Sequence, residues 1–136
     1  MESITVETTV KASVEKVWKC WTQPEHVSKW NFASDDWTSP TGANDLRVGG
    51  KFNYRMEAKD KSAGFDFEGT YTKVEPNKRI EYVMDDGRKV SVVFGGEGST
   101  TRVTETFDAE STHPIEMQRS GWQSILDNFR KHTESC

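Results

Sequence analysis

Pro114-Ile115-Glu116-Met117-Gln118-Arg119-Ser120-Gly121-Trp122-Gln123-Ser124-Ile125-Leu126-Asp127-Asn128-Phe129-Arg130-Lys131 carries a long helical pattern. Ile115, Trp122, Ile125, Leu126 and Phe129 recur at helical spacing, which gives one apolar stripe. Met117, Gly121 and Ser124 form a second, flatter stripe beside it. The spacing predicts a helix over about 114–133, capped by His113 or Thr112, with Pro114 as its first residue. Arg130, Lys131 and His132 suit the negative end of its dipole. An amphipathic helix of this length has to lie on a large apolar surface.

Upstream, the sequence supplies one. Phe52, Tyr54 and Met56 alternate with polar residues, as do Phe65 and Phe67, then Ile80, Tyr82 and Met84. Val90, Val92 and Phe94 follow, and then Val103 and Phe107. Period-two alternation places each set on one face of a strand. The breaks are turn chemistry: Val48-Gly49-Gly50, Pro76-Asn77, Asp86-Gly87 and Gly95-Gly96-Glu97-Gly98. The alternation wavers at Gly69-Thr70-Tyr71, where a bulge is expected. Short turns between strands predict an antiparallel meander that curls as it twists.

At the other end, Ile4, Val6, Thr8 and Val10 alternate as a first strand. Ser13 is a good cap for a helix carrying Val14, Val17, Trp18 and Trp21. Thr22-Gln23-Pro24-Glu25 resembles a capping box for a second short helix running to about Trp30. Residues 31–42 read as a loop, though they hold Phe32 and Trp37. The class is therefore α+β. A curved antiparallel sheet of about six or seven strands holds two short helices and one long C-terminal helix.

The 136 residues suit a single domain, 1–136. The net charge of −4 and the absence of a basic cluster argue against nucleic acid as a partner. Leucine is scarce, with only Leu46 and Leu126. Five Trp, three Tyr and seven Phe supply the core instead. Cys20 and Cys136 read as unpaired reduced thiols. No apolar run forms a signal peptide or a membrane span, so a cytoplasmic protein without a membrane partner is expected.

Among candidate chemistries, His26 and His132 read as solvated helix residues and His113 as a cap. No metal-ligand spacing links them to one another or to a cysteine, and no metal or other cofactor is expected. Cys20 reads as a small core filler. Glu105 shares the parity of Val103 and Phe107, so its carboxylate points inward as a weak catalytic candidate. The balance favours a plainer reading, in which a bulge turns it outward or Arg55 or Arg102 pairs with it.

The aromatic face is the stronger signal. Phe52, Tyr54, Met56, Phe65, Phe67, Tyr82, Met84 and Phe94 are expected to project inward, facing Met117, Gly121 and Trp122 of the helix. Trp30 and Trp37 are expected near a mouth. Gly121 in mid-helix costs about 0.5–1 kcal/mol relative to Ala, which close packing or room for a ligand would offset. A solid core is the alternative.

Four segments carry a family resemblance. They are Ala12-Ser13-Val14-Glu15-Lys16-Val17-Trp18 with Pro24-Glu25 and Trp30; Asp45-Leu46-Arg47-Val48-Gly49-Gly50-Lys51-Phe52; Gly69-Thr70-Tyr71 through Val74-Glu75-Pro76-Asn77-Lys78-Arg79-Ile80; and Gly121-Trp122 with Ile125-Leu126. In order and spacing the chain resembles the START-like, helix-grip (SRPBCC) superfamily. Within it, the chain is similar to the branch named after the activator of the heat-shock protein 90 ATPase. The resemblance implies a helix-grip fold that binds a small hydrophobic or aromatic molecule between sheet and helix. A monomer or weak homodimer is expected. A cyclase- or hydrolase-like enzyme is the second reading. A chaperone co-factor is the third, although the chain lacks the additional chaperone-binding domain of the eukaryotic activators.

Overall fold

A computed structural model describes residues 2–136. Its elements run β1 (Ser3–Val10), α1 (Val14–Thr22), α2 (Pro24–Val27), β2 (Trp37–Thr38), β3 (Gly42–Asn44), β4 (Lys51–Ala58), β5 (Gly64–Glu75), β6 (Arg79–Met84), β7 (Lys89–Glu97), β8 (Thr100–Asp108) and α3 (Ile115–Ser135). The strands make one antiparallel sheet in the order β1-β8-β7-β6-β5-β4-β2, with β3 also on β4. The short strands β2 and β3 lie end to end along β4, opposite Glu57–Ala58 and Phe52–Tyr54 respectively. Together they act as a seventh row of the curled sheet.

Residues 31–42, expected as loop, therefore contribute β2 and the start of β3. The segments are too short for a period to register, and pairing with β4 alone defines them. The bulge falls just after its expected place, between Tyr71 and Lys73. Ser13 caps α1 by accepting from Lys16 N at 3.4 Å. The capping box at Thr22 does not form. Thr22 ends α1 and donates its hydroxyl to Trp18 O at 2.8 Å, and α2 spans only four residues.

Neither His113 nor Thr112 caps α3. Pro114 stands at the N-cap position without a side-chain cap. Gln118 fastens the approach instead. Its Oε1 accepts from Glu110 N at 2.9 Å, and its Nε2 donates to His113 O at 2.8 Å.

The helix α3 lies along β1 and against α1. Its polar side chains reach the outward-pointing backbone of β1. Arg119 donates to Thr5 O at 3.5 Å and Gln123 to Glu7 O at 3.2 Å, while Lys11 N donates to the Glu134 carboxylate at 2.9 Å. Its apolar stripe turns inward. Leu126 and Phe129 are fully buried, and Trp122 stacks on Phe107 of β8 with centroids 3.9 Å apart and planes 12° from parallel. Trp122 is nevertheless only half-buried. Half of a large apolar side chain plus one aromatic pair amounts to about 2 kcal/mol. Trp122→Ala is expected to cost that much, read as the drop in urea midpoint at unchanged slope.

Among the described residues, no helix is long and apolar enough to cross a membrane.

Candidate functional site

The interior divides into two parts of different character. Under α1, α2 and α3 lies a closed aromatic cluster. Trp21 meets Trp30, Phe94 and Phe129 with centroids 4.8–5.8 Å apart, and Trp30 meets Phe129 at 4.9 Å. Trp18 packs edge-on against Phe94 at 5.4 Å. Trp30 also donates its indole N–H to Cys20 O at 3.0 Å. Trp30 and Phe94 thus belong to the solid core. The expectation that Trp30 stands near a mouth is corrected, because the single turn of α2 tucks the indole under α3.

The second part is the concave face of β4–β8. Phe52 is its centre, within 4.8–5.8 Å of the rings of Tyr54, Phe67, Tyr71 and Tyr82. Gly69 makes the arrangement sterically feasible, since a Cβ there would lie 2.7 Å from the Phe52 ring. Met56 and Met84 are buried on the same face. Two residues of the expected inner set, Phe65 and Met117, do not belong to it. Phe65 is 51% exposed and Met117 61%, and Phe65 touches Trp37 at a centroid distance of 5.9 Å. Phe65 sits beyond the reach of α3, at the β4–β5 hairpin end. Met117 lies on the helix flank turned away from the core. Trp37 is half-buried beside Phe65 rather than over the concave face.

Polar groups enter this apolar surface at defined points. Tyr71 donates its hydroxyl to Asn44 Oδ1 at 2.6 Å, and Asn44 Nδ2 donates to Thr22 O at 2.7 Å. Glu105 is 5% exposed and points inward, as strand parity indicates. The plainer reading of this residue is overturned. The strand β8 runs without a bulge against both β1 and β7. Arg102 pairs with Glu7 instead, and Arg55 with Glu57 and Asp66. Burial pushes the Glu105 carboxyl up to about 8. Burial, and then the neighbouring Glu105, also raise the Tyr82 hydroxyl well above its ordinary value.

Glu105, Tyr54 and Tyr82 find no side-chain hydrogen-bond partner among the described residues. Among the described residues, Ser39 Oγ and Thr133 Oγ1 are fully enclosed without a nitrogen or oxygen partner, whereas Arg79 Nε is paired with the Glu81 carboxylate. Glu105, Tyr54 and Tyr82 are all buried. A Cβ on Gly121 would meet no atom within 4 Å. Gly121 shares a helix flank with Ile125 and Asn128. Two turns further along α3, Asn128 donates to Phe32 O at 2.6 Å.

Two open concavities lie away from the concave face. One of about 330 Å³ is lined by Thr72, Glu81, Lys89, Ser91, Thr106 and Asp108, which alternate with buried residues and therefore face outward. Another of about 650 Å³ opens at Asp86, Arg88, Glu110 and Ile115, before α3.

Two of the histidines are not the solvated helix residues expected from their spacing. His26 and His132 are half-buried and hydrogen-bonded to each other, with Nδ1 and Nε2 2.9 Å apart across 106 residues of chain. No local spacing signals a contact made by separate helices. His113 contacts Glu110 at the surface. Cys20 is buried and Cys136 exposed, and both are free thiols.

Comparison with known proteins gives the same architecture a family. No curated protein matches the chain. A solution structure of an AHSA1-like protein from Aeromonas hydrophila is 48% identical, with a TM-score of 0.92, covering 98% of this chain and 93% of that one. A protein from Cytophaga hutchinsonii is 52% identical with a TM-score of 0.85, covering 98% and 92%. A Chromobacterium violaceum protein shares the fold at 20% identity and a TM-score of 0.88, covering 98% and 99%. The family model described as activator of Hsp90 ATPase homolog 1-like protein matches residues 11–134. The long helix gripped by a curled antiparallel sheet is thus accompanied by sequence kinship along nearly the whole chain, which belongs to the activator of Hsp90 ATPase homolog 1-like family.

Proposed function

We propose that this chain is a single-domain, cytoplasmic binding protein for a small hydrophobic or aromatic molecule bearing a hydrogen-bonding group. The molecule lies between the concave face of β4–β8 and the Gly121 flank of α3. One observation carries the reading: Glu105, Tyr54 and Tyr82 present polar atoms without partners inside an otherwise aromatic surface. An apolar site with a few convergent polar groups is the usual form of a small-molecule site. Phe52, Phe67, Met84 and Trp122 supply apolar contact. The protonated Glu105 carboxyl donates a hydrogen bond to a carbonyl or hydroxyl oxygen of the ligand.

A second reading keeps the same ligand and adds proton transfer. A carboxyl held near 8 exchanges protons close to neutral pH, which suits a general acid or base. The third reading, a chaperone co-factor, rests on the family's name alone.

Native mass spectrometry of freshly purified protein tests for a retained molecule, and thermal melts against a library of aromatic compounds test for new ones. A compound at 100 times its Kd is expected to stabilise the fold by about 2.7 kcal/mol. Gly121→Leu should still fold, because its first added atom meets open space, and it should lose the ligand-induced shift. If no compound moves the melt and Gly121→Leu costs ~1–3 kcal/mol as overpacking does, the interior is a solid core and the reading fails. Turnover of a bound compound that disappears in Glu105→Gln would select the enzymatic reading.

A further inference from the structure

Three helices bring four metal-binding side chains to one point near the end of α3. Cys20 comes from α1, His26 from α2, and His132 and Cys136 from the last turn of α3 and its cap. The last two are four residues apart and so project from the same helix face. All four donor atoms lie within 4.8 Å of one another. Cys136 Sγ is 3.6 Å from His132 Nε2 and 3.9 Å from His26 Nδ1, and the two imidazole nitrogens are 2.9 Å apart.

A tetrahedral zinc has bonds of about 2.0–2.1 Å to nitrogen and about 2.3 Å to sulfur. Its edges are then about 3.4 Å between nitrogens and about 3.6 Å between nitrogen and sulfur. The side chains already stand near those corners. The two imidazoles need to part by about half an ångström, and Cys20 has to draw in.

We propose that Cys20, His26, His132 and Cys136 form a closed, four-coordinate structural site for zinc(II). Two sulfurs and two imidazole nitrogens suit this borderline-soft ion, whereas calcium and magnesium prefer oxygen donors. Four protein ligands leave no open position, so the metal holds structure rather than activating water.

A neighbouring residue points the same way. Thr133 is fully buried, and its hydroxyl, unpartnered by any nitrogen or oxygen, lies beside the Cys20 sulfur. A Cys20 thiolate gives that hydroxyl an acceptor, the kind of outer partner that orients a metal ligand. The charges close as well. Binding releases one proton from each thiol, and two thiolates offset the dication. Neutrality matters because Lys16 and Lys29 lie near His132, and Lys16 Nζ donates to Cys136 O at 2.5 Å. These cations disfavour a site that would carry net positive charge. Once bound, the metal fastens the α1–α2 corner to the end of α3.

The test uses the full chain without an affinity tag, kept reduced, with zinc(II) alone as probe. Competition against a chromophoric chelator should give one zinc per chain, and cobalt(II) should give the intense visible bands and sulfur charge-transfer absorption of a tetrahedral thiolate site. Cys136 is exposed, so Cys136→Ser should fold normally yet lose one-to-one binding, as should His26→Gln. Thr133→Val should weaken zinc about 10–100-fold while retaining the cobalt spectrum. Zinc should raise the melting temperature of the wild type and not of Cys136→Ser. The proposal is overturned by absence of one-to-one binding, by equal binding in Cys136→Ser and wild type, or by a pale, octahedral cobalt spectrum. A Cys20–Cys136 disulfide that survives reductant also overturns it, since no thiolate pair would then be available.

Discussion

Phe129→Ala is expected to lower the unfolding free energy by about 3–5 kcal/mol, the usual cost of truncating a fully buried phenylalanine. Phe129 has no exposed surface and sits edge-on to Trp21 at 4.8 Å and Trp30 at 4.9 Å. Its ring joins α3 to α1 and to the turn that follows α2. The cavity left behind cannot collapse easily, because two indoles and a helix backbone border it. Trp21 and Trp30 also lose their edge-to-face partner. A domain of this size has only about 5–15 kcal/mol in total, so the variant should unfold at a far lower urea concentration. A loss below about 1 kcal/mol would mean that the grip of α3 on the short helices is wrong as described.

The stability of the protein should also fall as pH rises through the neutral range, and Glu105 should be the cause. An unfolded glutamate ionises near 4.5, while Glu105 in the folded chain holds its proton to about 8. Between these values the folded state binds a proton that the unfolded state has released. Stability from this group is therefore fully present below pH 4.5, declines across the window and is level above 8. Each pH unit is worth about 1.36 kcal/mol, so the decline is roughly 3–5 kcal/mol. Glu105→Gln removes the ionisation and keeps the shape. Compared with wild type, the variant should gain relative stability steadily from pH 5 to pH 8, because the other titrating groups cancel in the difference. Chemical denaturation of both proteins at pH 5, 6.5 and 8 checks this. A difference that does not change with pH would mean that water or a partner solvates the carboxylate.

Most of this architecture was legible because long elements repeat their period many times. The five apolar positions of α3 mark its inner stripe, and alternation assigns Tyr82, Val92, Phe94 and Phe107 to the concave face. Glu105 was legible too, since strict parity on an unbulged strand sends it inward; preferring a salt bridge gave too little weight to that regularity. Phe65 obeys the same alternation but is exposed, because burial depends on what covers a face and not on the face alone. Trp30 needed knowledge of how a single helical turn folds back under α3. In the cluster of Cys20, His26, His132 and Cys136 only the i,i+4 pair His132 and Cys136 leaves a trace in residue spacing; the convergence of Cys20 and His26 on it comes from packing three helices.

The hydrogen bonds from α3 to β1 bear on behaviour in concentrated solution. A terminal strand with free backbone groups is a template on which another chain can add, and long flat ones seed aggregates. Here the outward carbonyls of Thr5 and Glu7 are occupied by Arg119 and Gln123, and Lys11 N by Glu134. At the opposite margin β4 is covered by two very short strands, separated by a segment containing Pro40. Proline cannot donate to a new ladder. Both margins of the sheet are thereby protected against strand addition, and loosening the C-terminal helix would uncover the longer of them, converting a local opening into a route to fibrous assembly.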